Sequence, residues 1–166
     1  MNVNFLVLLA AAVIPMIIGF IWYHPKVLGT IWMQASGVTE DKLKSGNMAL
    51  IFGLAFLLSF FMAFVIQFLV IHQMHAFSIL GTQPDSSDPN SEASLMLKKF
   101  MELFGTSYRT FKHGALHGTM SGIFLAMPLV AITALFERRT FKYIAVHAGY
   151  WIICFGLMGG VICAFS

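Results

Sequence analysis

Long apolar runs alternate with short polar segments along this chain. Each of four runs lacks Asp, Glu, Lys and Arg, and each has the roughly 20 residues that a helix needs to cross a hydrocarbon core of about 30 Å. The pattern predicts an all-α membrane protein, a single domain over 1–166. Its predicted spans are residues 3–23, 48–80, 114–136 and 143–165.

Two of the predicted spans contain proline and one is unusually long. Pro15 and Pro128 lie inside the first and third runs, where each is expected to kink its helix. The second run, 48–80, would reach about 50 Å as one continuous helix at 1.5 Å per residue. This length exceeds the membrane core, so the helix is expected to tilt or to protrude.

The segment of about 81–112 is the one sizeable polar region. Asp88-Pro89 fits an N-cap followed by proline at the first helical position. Apolar residues then recur at steps of three and four, which predicts an amphipathic helix over about 89–111 that lies on the membrane surface or on the span ends. A docking site for a partner is the alternative. The apolar positions are Leu97, Phe100, Met101, Phe104, Tyr108 and Phe111.

Composition excludes most other classes of protein. Hydrophobic residues make up 58% of the chain and charged residues 10%, whereas about a quarter of the residues in an ordinary soluble domain are charged. The fourteen glycines have no collagen period, which excludes a fibrous protein. The ten Lys and Arg residues are thinly spread, so a nucleic-acid partner is not expected.

Basic residues near the spans predict the orientation in the membrane, because cytoplasmic loops are enriched in Lys and Arg. The first and third connections together carry more basic residues than the second, so both termini and the amphipathic helix are expected outside. The basic residues are Lys26, Lys42, Lys44, Arg138, Arg139 and Lys142 in the first and third connections, and Lys98, Lys99, Arg109 and Lys112 in the second.

Several short motifs together resemble a known family. In order they are Gly19-x-x-Trp22-Tyr23-x-Pro25, Trp32-Met33, Gly37, His113-Gly114, Leu135-Phe136-Glu137-Arg138-Arg139, Gly149-Tyr150-Trp151 and Met158-Gly159. Their order and spacing resemble the small bacterial membrane proteins of the family called domain of unknown function 1761. The resemblance implies a bacterial, four-span protein of the inner membrane. It implies no reaction and no catalytic residue.

Two histidine pairs are the most notable polar groups. His72 and His75 are three residues apart near the end of the second run, and His113 and His117 are four apart at the start of the third. Each pair shares a helix face, and a hairpin would bring both pairs to one membrane interface. They could bind a transition metal or haem, or act as a pH-sensitive switch. The alternative is that they reach the headgroups or bond nearby carbonyls.

Small residues form two rows that predict close helix packing. One row has a glycine at every fourth position of the third run and continues to Ala126. The second lies on one face of the fourth run and includes Ala145. The rows are expected to pack against each other within one chain, or across a homo-oligomer interface. The glycines are Gly114, Gly118 and Gly122 in the third run and Gly149, Gly156 and Gly160 in the fourth.

The aromatic residues and the cysteines give weaker indications of function than the histidines and glycines. Trp22, Tyr23 and Trp32 are typical of interfacial anchors, and binding of a lipid headgroup there is an alternative. Cys154 and Cys163 lie about 13 Å apart on opposite faces of one predicted helix, so they are not expected to form a disulfide with each other.

No enzyme is expected from this sequence. It offers no nucleophile with its base, no carboxylate pair and no convincing catalytic metal motif, so no catalytic residue and no cofactor are predicted. The leading hypothesis is a non-enzymatic membrane protein that acts by association, as a homo-oligomer or as an accessory subunit, among membrane lipids. The alternatives are a metal- or cation-binding or permeation protein that uses the histidines, and a lipid-binding module.

Overall fold

Helices make up the fold in the computed structural model, which describes residues 3–166. Residues 1 and 2 of the predicted domain lie outside the described residues. In chain order the helices are α1 (Phe5–Trp22), α2 (Thr30–Ser36), α3 (Glu40–Lys44), α4 (Met48–Val70), α5 (Gln73–Leu80), α6 (Glu92–Phe104), α7 (Phe111–Ser121), α8 (Met127–Phe136) and α9 (Phe141–Phe165).

Four spans are long and apolar enough to cross a membrane. They are α1, α4, the combined helix of α7 and α8 (the third span), and α9. A π-helical segment, Gly122–Ala126, joins α7 to α8, and another, Pro25–Gly29, precedes α2. No strand occurs within residues 3–166. The predicted all-α class with four spans is confirmed, and the four apolar helices are typical of a membrane protein.

Polar side chains cap the N-termini of most of the helices. In each case an oxygen accepts a hydrogen bond from a backbone N–H of the first turn, which would otherwise lack a partner. Thr110 therefore starts the third span at Phe111, three residues before the predicted start. The capping residues are Asn4, Thr39, Asn47, Ser91, Thr110 and Thr140.

The second run forms two helices rather than one. α4 ends at Val70, and Ile71 adopts an extended conformation with ψ of 95°. The amide of Met74 bonds the carbonyl of Ile71, and the Cys163 thiol donates to the carbonyl of Val70 instead. The span is therefore about 35 Å long at 1.5 Å per residue, close to the membrane thickness, and the expected long protrusion is replaced by the separate helix α5.

The amphipathic helix is shorter than predicted at both ends. Asp88 does not cap it, because the Asp88 carboxylate accepts from the amide of Asn90 within a turn, at 2.9 Å. Ser91 is the cap, and α6 begins one residue later. The helix ends at Phe104, so the predicted members Tyr108 and Phe111 lie outside it.

The two small-residue rows meet inside the bundle, between the third span and α9. A Cβ at Gly114 would collide with the carbonyl oxygen of Gly159, and one at Gly118 would collide with that of Phe155. At Gly122 it would come 2.6 Å from the Cα of Ile152. The third span and α9 therefore touch backbone to backbone, as small residues allow in membranes.

The remaining predicted glycines face either the third span or α1. A Cβ at Gly156 would approach Thr119 Oγ1, and one at Gly160 would meet the ring of Phe111, both on the third span. Gly149 faces Trp22 on α1 instead, at 3.1 Å. Gly159, which the row on the fourth run did not include, is one of the closest contacts to the third span.

α9 is the central helix of the bundle. It contacts α1, α4, α7 and α8, and it has the largest buried share of the four spans. Its Tyr150 hydroxyl donates to the carbonyl of Pro15 in α1, at 2.8 Å. At the start of α1, the Asn4 side-chain amide donates to the carbonyl of Phe165, so the described ends of the chain lie together.

Candidate metal centre

The break after α4 places His72 at the end of the bundle where α9 ends. His72 directly precedes α5, whose first residue, Gln73, is only 3% exposed. The Gln73 amide nitrogen donates to the carbonyls of Phe104 and Ser107, at 2.7 and 2.8 Å. These bonds fix the start of α5 to the end of α6 and to the turn that follows it. The Phe104 carbonyl also accepts from the amide of Ser107.

His113 and His117 come from the first two turns of α7. The hydroxyl of Thr110 accepts from the amide of His113 and caps the helix, which starts at Phe111, two residues before the first of these rings. A separation of four residues puts both imidazoles on one face, and their ring centroids are 4.6 Å apart. The glycines between and beside them hold this helix against α9.

Three histidines form a compact cluster, His72, His113 and His117. Their ligating nitrogens all lie within 4.8 Å of one another. The Nε2 atoms of His72 and His113 are 2.8 Å apart, at hydrogen-bond distance. The His72 ring also lies 5.0 Å from the ring of His117, centroid to centroid. The spans thus bring residues 41 or more positions apart in the chain into one group.

Tyr108 covers one side of the cluster in a backbone conformation that is rare for its residue type. Its φ is 62°, in the left-handed region that bulky residues seldom adopt. The thiol of Cys163 and the amide of Thr110 both donate to its carbonyl, at 3.3 and 2.8 Å. Its ring stacks on that of His113, with 5.1 Å between the centroids.

Electrostatics favour the neutral form of His72. Desolvation of the ring, followed by the nearby imidazoles of His117 and His75, lowers the pKa of His72 from its usual value. The guanidinium of Arg109 donates to the carbonyls of Cys163 and Ser166, where a positive charge suits a helix C-terminus. A neutral imidazole is the form that binds metal.

The fourth predicted ligand, His75, is not part of the cluster. It is exposed on the first turn of α5, and the helix break turns that segment away from the axis of α4. His75 nevertheless lies near His72, at the same end of the bundle. Tyr108 and Cys163, which support the cluster, were not predicted as neighbours of the histidines, since no short-range spacing connects them to the pairs.

The predicted aromatic anchors lie at the opposite end and pack between helices. The indole N–H of Trp22 donates to the carbonyl of Val146 at 3.1 Å, and the ring of Trp32 lies 5.1 Å from that of Tyr23. The Tyr23 hydroxyl pairs with Nδ1 of His147 at 3.3 Å. The two residues are 124 positions apart, so no local spacing in the sequence predicts this pairing.

We expect Gln73→Leu to loosen the segment that carries the cluster. The variant removes the side-chain donor to the Ser107 carbonyl and one of the two donors to the Phe104 carbonyl, which also accepts from the amide of Ser107. Loss of the donor to a buried group costs about 1–3 kcal/mol. Amide hydrogen exchange should therefore accelerate in α6 and in the turn that follows it. Gln83→Leu is the matched control, because the exposed Gln83 bonds only the carbonyl of Ile79, four residues earlier. Equal exchange in the two variants would contradict the role of Gln73.

Comparison with known proteins agrees with the resemblance seen in the motifs. A family model described as "Protein of unknown function (DUF1761)" matches residues 6–163. No curated protein and no solved structure matches the chain. Because the matched region covers nearly the whole chain, including the histidine cluster, the chain belongs to the DUF1761 family.

Proposed function

We propose that this membrane protein binds a transition-metal ion through His72, His113 and His117 at one end of its helix bundle, without catalysing a reaction. The observation that carries the proposal is the convergence of three imidazoles, two from the third span and one from the break after α4, with all ligating nitrogens within 4.8 Å of one another. The Nε2 atoms of His72 and His113, 2.8 Å apart, are close enough for one neutral imidazole to donate a hydrogen bond to the other.

The geometry fits a metal after small adjustments. Nitrogens bound at about 2.0–2.1 Å to a tetrahedral ion lie about 3.3 Å from one another. The closest pair, His72 and His113, is already inside that distance, and rotation about side-chain bonds can close the remainder. Three protein ligands leave a fourth position for water, the arrangement that is typical of open rather than purely structural zinc sites.

The ligand type limits the choice of metal. Imidazole suits zinc, copper, nickel and iron, whereas magnesium and calcium prefer oxygen ligands. The cluster contains three histidines and, among the residues that the structure describes, no carboxylate. Cys163 is nearby, but its thiol donates to the carbonyls of Val70 and Tyr108. We therefore propose zinc, copper or nickel ahead of the hard cations.

The proposed setting is the bacterial inner membrane. The family resemblance and the four apolar spans support this location. The excess of Lys and Arg in the first and third connections supports an orientation with both termini outside. Since the cluster lies at the end where α9 finishes, this orientation gives the metal site access to the outer face.

Association with a second copy or another subunit receives less support from the fold. The row Gly114, Gly118 and Gly122, the strongest candidate for an oligomer interface, is covered by α9 of the same chain. An oligomer would have to use another face of the bundle. The fold therefore supports metal binding more than association.

Metal analysis of the purified protein tests the proposal. We expect about one zinc, copper or nickel ion per chain after incubation and removal of free metal, and loss of that ion when His72, His113 and His117 are replaced by alanine together. The control replaces His24 and His75, which lie outside the cluster. Equal metal content in the triple variant and the parent would overturn the proposed site.

A further inference from the structure

Cys163, a buried residue near the end of α9, contacts both segments that carry the histidine cluster. Its Sγ atom is 3.4 Å from the carbonyl oxygen of Val70 and 3.3 Å from that of Tyr108. Val70 ends α4, two residues before His72, and the ring of Tyr108 stacks on that of His113. One side chain therefore contacts the main chain beside each of the two imidazoles whose Nε2 atoms are 2.8 Å apart.

The thiol links these two segments because it has a single hydrogen to donate. Both carbonyl oxygens are within its reach, so Val70 and Tyr108 share one donor. The Val70 carbonyl lies at the end of α4, where a helix leaves its last carbonyls without partners inside the helix. The position of the thiol therefore acts on the break before His72 and on the turn before His113 together.

The contact with Tyr108 also supports a backbone conformation that is costly for this residue. Its φ is 62°, and such a conformation persists only where surrounding contacts hold it. The Cys163 thiol and the Thr110 amide both donate to the Tyr108 carbonyl. The guanidinium of Arg109 donates to the carbonyl of Cys163 at 3.0 Å. The turn is thus bonded to the side chain and to the main chain of Cys163, and the Tyr108 ring lies against His113 as a result.

A third contact brings Cys163 against α7, the helix that carries two of the three ligands. A Cβ at Gly114, the residue after His113, would collide with the Cβ of Cys163. The Sγ atom of Cys163 is not among the ligand atoms that lie within 4.8 Å of one another. Cys163 therefore touches every segment that supplies a ligand and stays outside the ligand set.

We propose that Cys163 is a positioning residue of the metal site, which sets the separation of His72 and His113 through its contacts with the main chain and does not bind the ion itself. This inference rests on the proposed metal site. Groups that orient the ligands without binding the metal typically change its affinity by about 10–100-fold when they are removed.

The second cysteine of α9 provides a matched control. Cys154 is also fully buried, and it lies nine residues from Cys163 in the same helix, about 13 Å away at 1.5 Å per residue. Replacement of either cysteine by alanine removes the same buried atom from α9, whereas only Cys163 contacts the segments of the cluster.

Zinc titration in competition with a chelating dye tests this role. Cys163→Ala removes the thiol but keeps the bond from Arg109 to the main chain, and it should weaken zinc binding by about tenfold. Cys163→Ser keeps a hydroxyl donor and should recover part of the loss, whereas Cys154→Ala should bind zinc as the parent does. Equal affinities in Cys163→Ala and Cys154→Ala would overturn the positioning role, whereas a parent that binds no zinc would contradict the proposed function.

Two further measurements separate positioning from direct ligation and from metal binding itself. The parent loaded with Co²⁺ should lack the near-ultraviolet charge-transfer band of a cobalt–thiolate bond; the presence of that band would overturn the proposal without the need for a variant. In the metal-free protein, nuclear Overhauser effects between the rings of Tyr108 and His113 should weaken in Cys163→Ala and persist in Cys154→Ala. Unchanged effects in Cys163→Ala would contradict the positioning role whatever the zinc affinity.

Discussion

Gly118→Ala is expected to abolish stable packing of the third span against α9. The added Cβ would collide with the carbonyl oxygen of Phe155 and lie 2.7 Å from its carbonyl carbon. Overpacking typically costs 1–3 kcal/mol when side chains can move. Here the obstacle is backbone, so we expect a loss of at least about 3 kcal/mol. Thermal unfolding followed by circular dichroism in mild detergent measures it.

Gly53→Ala is the matched control for this experiment. Gly53 is also inside a span, but a Cβ there would meet nothing within 4 Å. Alanine is favoured over glycine inside a helix by about 0.5–1 kcal/mol, so Gly53→Ala should keep or slightly raise the melting temperature. Parental stability in Gly118→Ala would show that the close contact with α9 is not formed.

Metal is expected to raise the melting temperature substantially. His72 follows α4 whereas His113 and His117 belong to α7, so one ion would join two spans across the polar connection between them. An ion at 100 times its dissociation constant stabilises the folded state by about 2.7 kcal/mol. For a chain of this size, that corresponds to a rise of about 5–10 °C.

The histidine variants make this result specific. His117→Ala removes one of three ligands and should lose most of the rise, whereas His75→Ala should keep it. Zinc and nickel can be compared with magnesium, which should have no effect because it prefers oxygen ligands. An equal rise in both histidine variants would show that metal acts somewhere other than the cluster.

The spans could be predicted because their evidence is local. Charge-free runs such as 143–165 are long enough to specify membrane helices by themselves, and α9 over Phe141–Phe165 agrees closely. The break at Ile71 could not be predicted from its own residues, since neither proline nor glycine is present there. The donor to the Val70 carbonyl at this break is the Cys163 thiol, which lies 93 residues further along the chain.

The candidate site could be predicted in part, because the spacing of two of its histidines is also local evidence. Helical spacing predicted that His113 and His117 share a face, and the topology predicted that His72 comes near them. The left-handed conformation of Tyr108 is set by contacts with Thr110 and Cys163. Neither its ring above His113 nor the absence of His75 from the cluster could be inferred from spacing.

The backbone contact between the third span and α9 also limits which second mutations could rescue a defect. A larger residue at Gly114 or Gly118 meets the main-chain oxygen of Gly159 or Phe155. Every amino acid carries that oxygen, so no replacement at position 155 or 159 can make room. A genetic screen for suppressors should therefore return true revertants, or changes elsewhere that move the whole helix, and no compensating substitution at the facing residue.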